Sequence, residues 1–220
     1  MAETMKRLGL LWYLDYERDV ESTPPGVQRV LAVAPGIPLI PEDTIRSMVA
    51  KAPGSYWMIG GEPNVKETGN QTPEEYSRML NYYDGAVKKA DPSARLVGPG
   101  VLNFDYTCGG CTGYQSGHSW LDGFRAAYKN LYGTEPPLDV WSIDSYDLDW
   151  YSLPMVNPQI IIDQLGGFRR YLDSIPELRG KPIWLAEFGV QWGYGSIDFK
   201  DDKAYSTDTL HVAEIKQYLV

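Results

Sequence analysis

Cysteine and histidine are scarce, with two of each in 220 residues. A structural zinc needs four such ligands, so Cys108, Cys111 and nearby His118, with His211 far off in the tail, do not make one. Cys108-Gly109-Gly110-Cys111 reads as a local disulfide or as two free thiols, and a disulfide would accompany an exported protein. Positive charge is also short. The count of 20 Lys and Arg against 29 Asp and Glu leaves a net charge of −9, which argues against nucleic acid and anionic membrane surfaces as partners. No apolar run approaches the roughly 18 to 20 residues that span a bilayer, so the sequence predicts a soluble chain. The short run Leu8–Leu14 follows Lys6 and Arg7, but Asp15, Glu17, Arg18 and Asp19 stand where a cleavage site would need small residues, so this run reads as a first strand. Repeats, charge runs and low-complexity linkers are missing too. Residues 1–220 therefore read as a single domain.

What is present is an ordinary globular balance, 43% hydrophobic and 22% charged. Short apolar runs at Leu8–Leu14, Val27–Ala34, Tyr56–Ile59, Arg95–Val97, Val140–Ile143 and Ile183–Ala186 alternate with amphipathic segments, and Ile37–Ile40 could add a further short strand. Helices are expected after Pro41-Glu42-Asp43, after Thr72-Pro73-Glu74-Glu75 with capping-box spacing, over Ser119–Leu131 and Pro158–Ser174, and in the tail from Thr209. Such βα alternation predicts an α/β fold with a parallel sheet or (β/α)₈ TIM-type barrel. Two long segments, Asn103–His118 and Tyr146–Asn157, follow strand ends, where such barrels keep their working loops.

Two glutamates stand at the ends of buried runs. They occur in Tyr56-Trp57-Met58-Ile59-Gly60-Gly61-Glu62-Pro63-Asn64 and in Pro182-Ile183-Trp184-Leu185-Ala186-Glu187-Phe188-Gly189. A charge there is costly unless it is paired, hydrogen-bonded or used. One isolated glutamate would be read as a cap or an ion pair. A separation of 125 positions accommodates three βα units of roughly 30 residues plus long loops, so strands four and seven of a barrel would bring both to one rim.

Taken in order, the Trp-x-Ile-Gly-x-Glu-Pro-Asn segment ending at Asn64, Thr72-Pro73-Glu74-Glu75-Tyr76, the stretch from Ala90 to Gly100, Leu138-Asp139-Val140-Trp141-Ser142-Ile143-Asp144-Ser145-Tyr146 and the segment from Lys181 to Gly189 resemble clan-A glycoside hydrolases, in particular small barrels similar to the Asl1-like or endo-β-1,3-glucanase group. The resemblance implies a retaining hydrolase of a β-linked polysaccharide or oligosaccharide, with Glu62 as general acid/base and Glu187 as nucleophile, their carboxyl groups about 5 to 5.5 Å apart. It implies no cofactor and no metal. Tyr146, Asp144, Asn64, Trp150, Trp192 and Tyr13 are the expected substrate-binding residues. Trp150 and Trp192 are singled out because their rings follow strand ends on polar loops, where they could stack on sugar faces. Trp57, Trp141 and Trp184, within strand runs, are expected in the core or at the interface between barrel and helices.

The sequence departs from the family pattern at two places. Gly61 stands where such enzymes carry Asn, and Asp144 where His is common. These departures keep open an alternative, a catalytically degenerate carbohydrate-binding barrel. Only 55 residues precede Tyr56, where three regular units would take roughly 90. An eighth strand is not visible after Glu187, so a gap or bare edge is expected there. The remaining expectations are a carbohydrate partner, a monomer or weak oligomer, and a location outside the cell or in the cell envelope with any export signal outside this sequence, the cytoplasm staying open.

Overall fold

The computed structural model describes residues 2–16, 26–35, 38–105, 115–147 and 157–189. Six parallel strands form one sheet: β1 (Trp12–Asp15), β2 (Gln28–Val33), β3 (Tyr56–Ile59), β4 (Arg95–Leu102), β5 (Val140–Tyr146) and β6 (Ile183–Gly189). A short helix α1 (Ala2–Arg7) precedes β1, and α2 (Glu42–Lys51), α3 (Pro73–Ala90), α4 (Gly117–Tyr132) and α5 (Pro158–Ser174) fill the crossovers from β2 onward.

Spatial order follows chain order from β1 to β6, with no point at which the order reverses. A doubly wound sheet needs such a reversal; an unbroken order with helices on one face is half of a TIM-type barrel. Two apolar clusters confirm the two faces. Leu31, Val33, Trp57, Ile59, Leu96, Val101, Trp141 and Ile143 alternate onto the outer face and pack with helix side chains such as Ile45, Leu80, Phe124 and Phe168. Val30, Met58, Val97 and Val140, joined by Leu14, Tyr56, Trp184 and Ala186, form a smaller inner cluster drawn from strands alone. This period-two division lets both faces be apolar in one strand run.

α3 begins with a reciprocal capping box between Thr72 and Glu75, follows with Pro73, and buries Tyr76, Leu80, Tyr83 and Val87 along one stripe. α4 ends on Gly133 in the left-handed conformation.

Two sequence readings are corrected. The run Leu8–Leu14 is not one strand: residues 8 and 9 turn out of α1 and pairing starts at Trp12, because Gly9 takes a φ of 65° and closes the helix. Residues 38–40 of the suggested strand Ile37–Ile40 are not paired into the sheet; the backbone of Ile40 is instead satisfied by the hydroxyls of Tyr83 and Tyr82. Tyr56–Ile59 is accordingly the third described strand and Ile183–Gly189 the sixth, still three βα units apart. Trp57 and Trp141 are fully buried, as expected. Trp150, Trp192, Cys108, Cys111, the tail helix from Thr209 and the place of an eighth strand lie outside the described residues. No described helix is long and apolar enough to cross a membrane.

Candidate active site

Three carboxylates meet at the carboxyl ends of the strands. One oxygen from each of Glu62, Asp144 and Glu187 lies within 4.8 Å of the others. Each arrives by a different local device.

Glu62 follows β3 in the loop beyond Gly60 and has a φ of 42°, a left-handed conformation uncommon for a side chain with Cβ. Its backbone is held firmly there: its N–H donates to the Gly100 carbonyl at 2.7 Å, and its carbonyl accepts from the N–H groups of Val65 and Gly69 and from the Thr68 hydroxyl. A non-glycine residue in this region persists only where surrounding contacts over-determine it, a pattern that clusters at functional sites.

Glu187 depends on an irregularity. Trp184 and Ala186 face the inner cluster, so strict alternation would send Glu187 outward. The β5–β6 register jumps from Ile143 opposite Leu185 to Asp144 opposite Glu187, leaving Ala186 as an extra residue. Such a bulge re-aims the side chain that follows it, and here it brings Glu187 to the inner carboxylates. Asp144 needs no such device, since Val140, Ser142, Asp144 and Tyr146 alternate onto the inner face of β5.

Tyr146, the next inner residue, donates its hydroxyl to Glu187 Oε2 at 3.2 Å while Asn103 Oδ1 holds its backbone N–H. Tyr16, just past β1 and about half exposed, lies within electrostatic reach of this group. Burial, then the charges of Glu187, Asp144 and Glu62, push its phenol above the usual range. Tyr16 is the residue that the sequence reading missed; the signal was present, because Trp12, Leu14 and Tyr16 share one phase of β1.

Burial pushes Glu62 above the usual carboxylate range; a hydrogen bond from Thr68 opposes this in part and the charge of Glu187 adds to it. Burial, with Glu187 and Glu62 next, raises Asp144 well above its ordinary value. Both carboxyls therefore keep their protons to higher pH than free ones do, the direction that a general acid needs. The three carboxylates are also the described group whose spacing could share a cation, although Ca²⁺ takes six to eight oxygens and this set offers one from each residue.

Two expected binding residues are placed elsewhere. Asn64 is buried, and its amide is spent on the backbone: Nδ2 donates to the carbonyls of Leu102 and Gln115 at 2.9 and 2.7 Å, and Oδ1 accepts from the Leu102 N–H at 2.9 Å. It braces the Glu62 loop against the end of β4. Asn64→Ala is expected to cost roughly 2 to 4 kcal/mol of stability, because it strands buried backbone groups; denaturant unfolding would read this. Tyr13 pairs in register with Arg29, on the face opposite Leu14, and so lies on the helix side of β1 and away from the inner carboxylates. Asp15 is ion-paired with Arg29 at 2.7 Å, Asp147 accepts the Asn157 N–H, and His118 contacts Asp105 while stacking on Phe104.

The family described as "Glycosyl hydrolase catalytic core" matches residues 10–219. Solved structures similar to this chain include a GH128 (subgroup II) endo-beta-1,3-glucanase from Pseudomonas viridiflava, 22% identical, covering 96% of this chain and 73% of that one with a TM-score of 0.61. A second subgroup II enzyme, from Sorangium cellulosum, is 22% identical over 95% of this chain and 71% of its own, with a TM-score of 0.60. A mutant GH128 (subgroup I) endo-beta-1,3-glucanase from Amycolatopsis mediterranei, in complex with laminaripentaose, is 17% identical over 99% of this chain and 75% of its own, with a TM-score of 0.61. At these identities the likeness is one of fold. The search of curated proteins returned no match.

Proposed function

This chain belongs to the glycosyl hydrolase catalytic core family, and from that premise we propose that it is a retaining glycoside hydrolase acting on β-1,3-glucan, with Glu62 as acid/base and Glu187 as nucleophile. The observation that carries the reading is the approach of the two glutamate oxygens to within 4.8 Å at one strand rim. So close an approach of single oxygens supports the close carboxyl pairing of retaining enzymes, roughly 5 to 5.5 Å between the groups, over the roughly 6.5 to 9.5 Å that leaves room for a water in inverting ones. The substrate class is taken from the solved relatives, several of which are named as endo-beta-1,3-glucanases with bound laminari-oligosaccharides. The same reading takes the half-barrel as part of a (β/α)₈ architecture.

In the first step Glu62 donates its proton to the glycosidic oxygen as the bond from that oxygen to the anomeric carbon breaks. Glu187 forms an ester to the same carbon from the opposite face. In the second, Glu62, now ionised, takes a proton from water, whose oxygen attacks the anomeric carbon and releases Glu187. Two inversions give net retention.

Tyr146 holds Glu187 in place for attack. A hydrogen bond to a charged group is worth roughly 1.5 to 3 kcal/mol, so Tyr146→Phe is expected to lower kcat about 10- to 100-fold with little change in stability; steady-state kinetics and thermal unfolding would separate the two effects.

Gly61 favours the second reading, a binding barrel. A Cβ at Gly61 would meet nothing within 4 Å, so the space beside Glu62 is open where an amide could contact sugar and nucleophile. Reducing-sugar release from β-1,3-glucan, β-1,4-glucan, mannan and xylan separates the readings. Release from β-1,3-glucan supports hydrolysis; binding without release from any of them supports the alternative.

A further inference from the structure

The two-step mechanism leaves Asp144 without a task. It is 1% exposed, yet its carboxyl oxygen lies within 4.8 Å of an oxygen from each glutamate. The backbone N–H of Glu187 bonds to its carboxyl, while Oδ1 is buried without a hydrogen-bond partner among the described residues. Its seat is made by the bulge residue of β4. Gly100 has a φ of 66°, and a Cβ there would lie 3.4 Å from Asp144 Oδ2 and 3.2 Å from the Met58 methyl group.

Resting on the two-glutamate reading, we propose that Asp144 is a positioning residue, a neutral carboxylic acid that donates a hydrogen bond to Glu187 and limits the resting site to one anion. Three carboxylates at this spacing do not all ionise, and the most buried of them is the one that loses its charge first. Asp144 faces Glu187 directly in register across β5 and β6, while Tyr146 donates to Glu187 Oε2. Glu187 thus sits between two uncharged donors. The titratable groups around Asp144 are Tyr16 just past β1, Glu62 after β3, Tyr146 from its own strand and Glu187 from β6. The charges acting on it are those of the two glutamates, and burial works in the same direction.

Asp144→Asn keeps the shape and a donor while removing the ability to ionise, and two readouts test the proposal. The first is unfolding of wild type and variant across pH 4 to 8, which needs no activity. A carboxyl whose folded value is raised contributes stability that is full below its unfolded value of about 4 and is lost as pH rises toward the folded one. The folding constant of Asp144→Asn relative to wild type is therefore expected to climb, by up to about tenfold per pH unit, above pH 4. A ratio flat with pH overturns the proposal. The second is the pH profile of kcat/KM. Asp144→Asn is expected to leave the alkaline limb in place, whereas an ionised Asp144 would shift that limb acidward by about one unit on removal. Asp144→Ala, lacking the donor, is expected to raise the acidic limb by about one unit and lower kcat about tenfold; an unmoved acidic limb would reduce Asp144 to packing. Should the variants not fold, ¹³C NMR of labelled aspartates in the wild-type protein reads the same proton, as a γ-carbon that stays in its protonated position above pH 5. Failure of the functional reading would appear as no hydrolysis with the unfolding series still pH-dependent. Failure of the Asp144 proposal would appear as hydrolysis with a flat series.

Discussion

Glu187→Ala is expected to lower kcat on laminari-oligosaccharides by about 10⁴-fold or more, while oligosaccharide binding measured by calorimetry survives. On the proposed mechanism this residue forms the covalent bond to the anomeric carbon, and no neighbour can replace it. Asp144 is too buried to reach past it, and Glu62 must remain free to donate a proton. Removing a nucleophile from a set of groups that act as a unit leaves only what positioning and the remaining groups supply. Turnover near the wild-type rate in this variant would remove Glu187 from the nucleophile role.

The second large effect concerns Glu62 and depends on the substrate. Glu62→Ala is expected to lower kcat/KM on glucans roughly 10²- to 10⁴-fold, because the departing sugar oxygen is a poor leaving group without protonation. With an activated aryl glycoside the loss in the first step should be about tenfold or less, since a phenolate of low basicity departs unaided. Burial, partly opposed by Thr68 and reinforced by Glu187, raises Glu62 above the usual carboxylate range. Activity should therefore extend above the ordinary glutamate range and fall as pH rises through the raised value, and the alanine variant should lose that alkaline limb. Equal losses on both substrate types would argue for a structural role.

Much of the fold is legible in the sequence because the strand and helix signals are local. Thr72 to Glu75 announces a capping box, and the helix follows from Pro73; Pro158–Ser174 is read to its ends because Asn157 and Pro158 set its start. What local patterns do not carry is the phase of a strand. Read by strict alternation, Glu187 belongs with Leu185 on the helix side, and only the pairing of β6 with β5 places the extra residue at Ala186. Its nomination rests on its place at the end of an apolar run and on the ordered motifs, not on periodicity. Tyr13 and Tyr16 show the converse. A first strand at Leu8–Leu14 contains Tyr13, whereas the strand Trp12–Asp15 carries Tyr16 just past its end, where the charges of Glu187, Asp144 and Glu62 act on its phenol. Asn64 was legible as a motif residue, but the carbonyl of Gln115, 51 positions away, could not be foreseen as its acceptor.

Asp144 shows a departure from a pattern acquiring a physical meaning. In the sequence it marks a lost histidine. In the fold it is the most buried of three acids that share one rim, each within 4.8 Å of the next. The same cluster ties Glu62, Glu187, Asp144 and the two tyrosines into one electrostatic unit, so substitutions among them should not be additive.

The most direct test of the two-glutamate account is ¹H NMR of a laminari-oligosaccharide during the first minutes of hydrolysis, before the newly formed reducing ends mutarotate. The account predicts that the β-anomer appears first and the α-anomer only later by mutarotation. First appearance of the α-anomer, or no hydrolysis of an oligosaccharide that demonstrably binds, would contradict it.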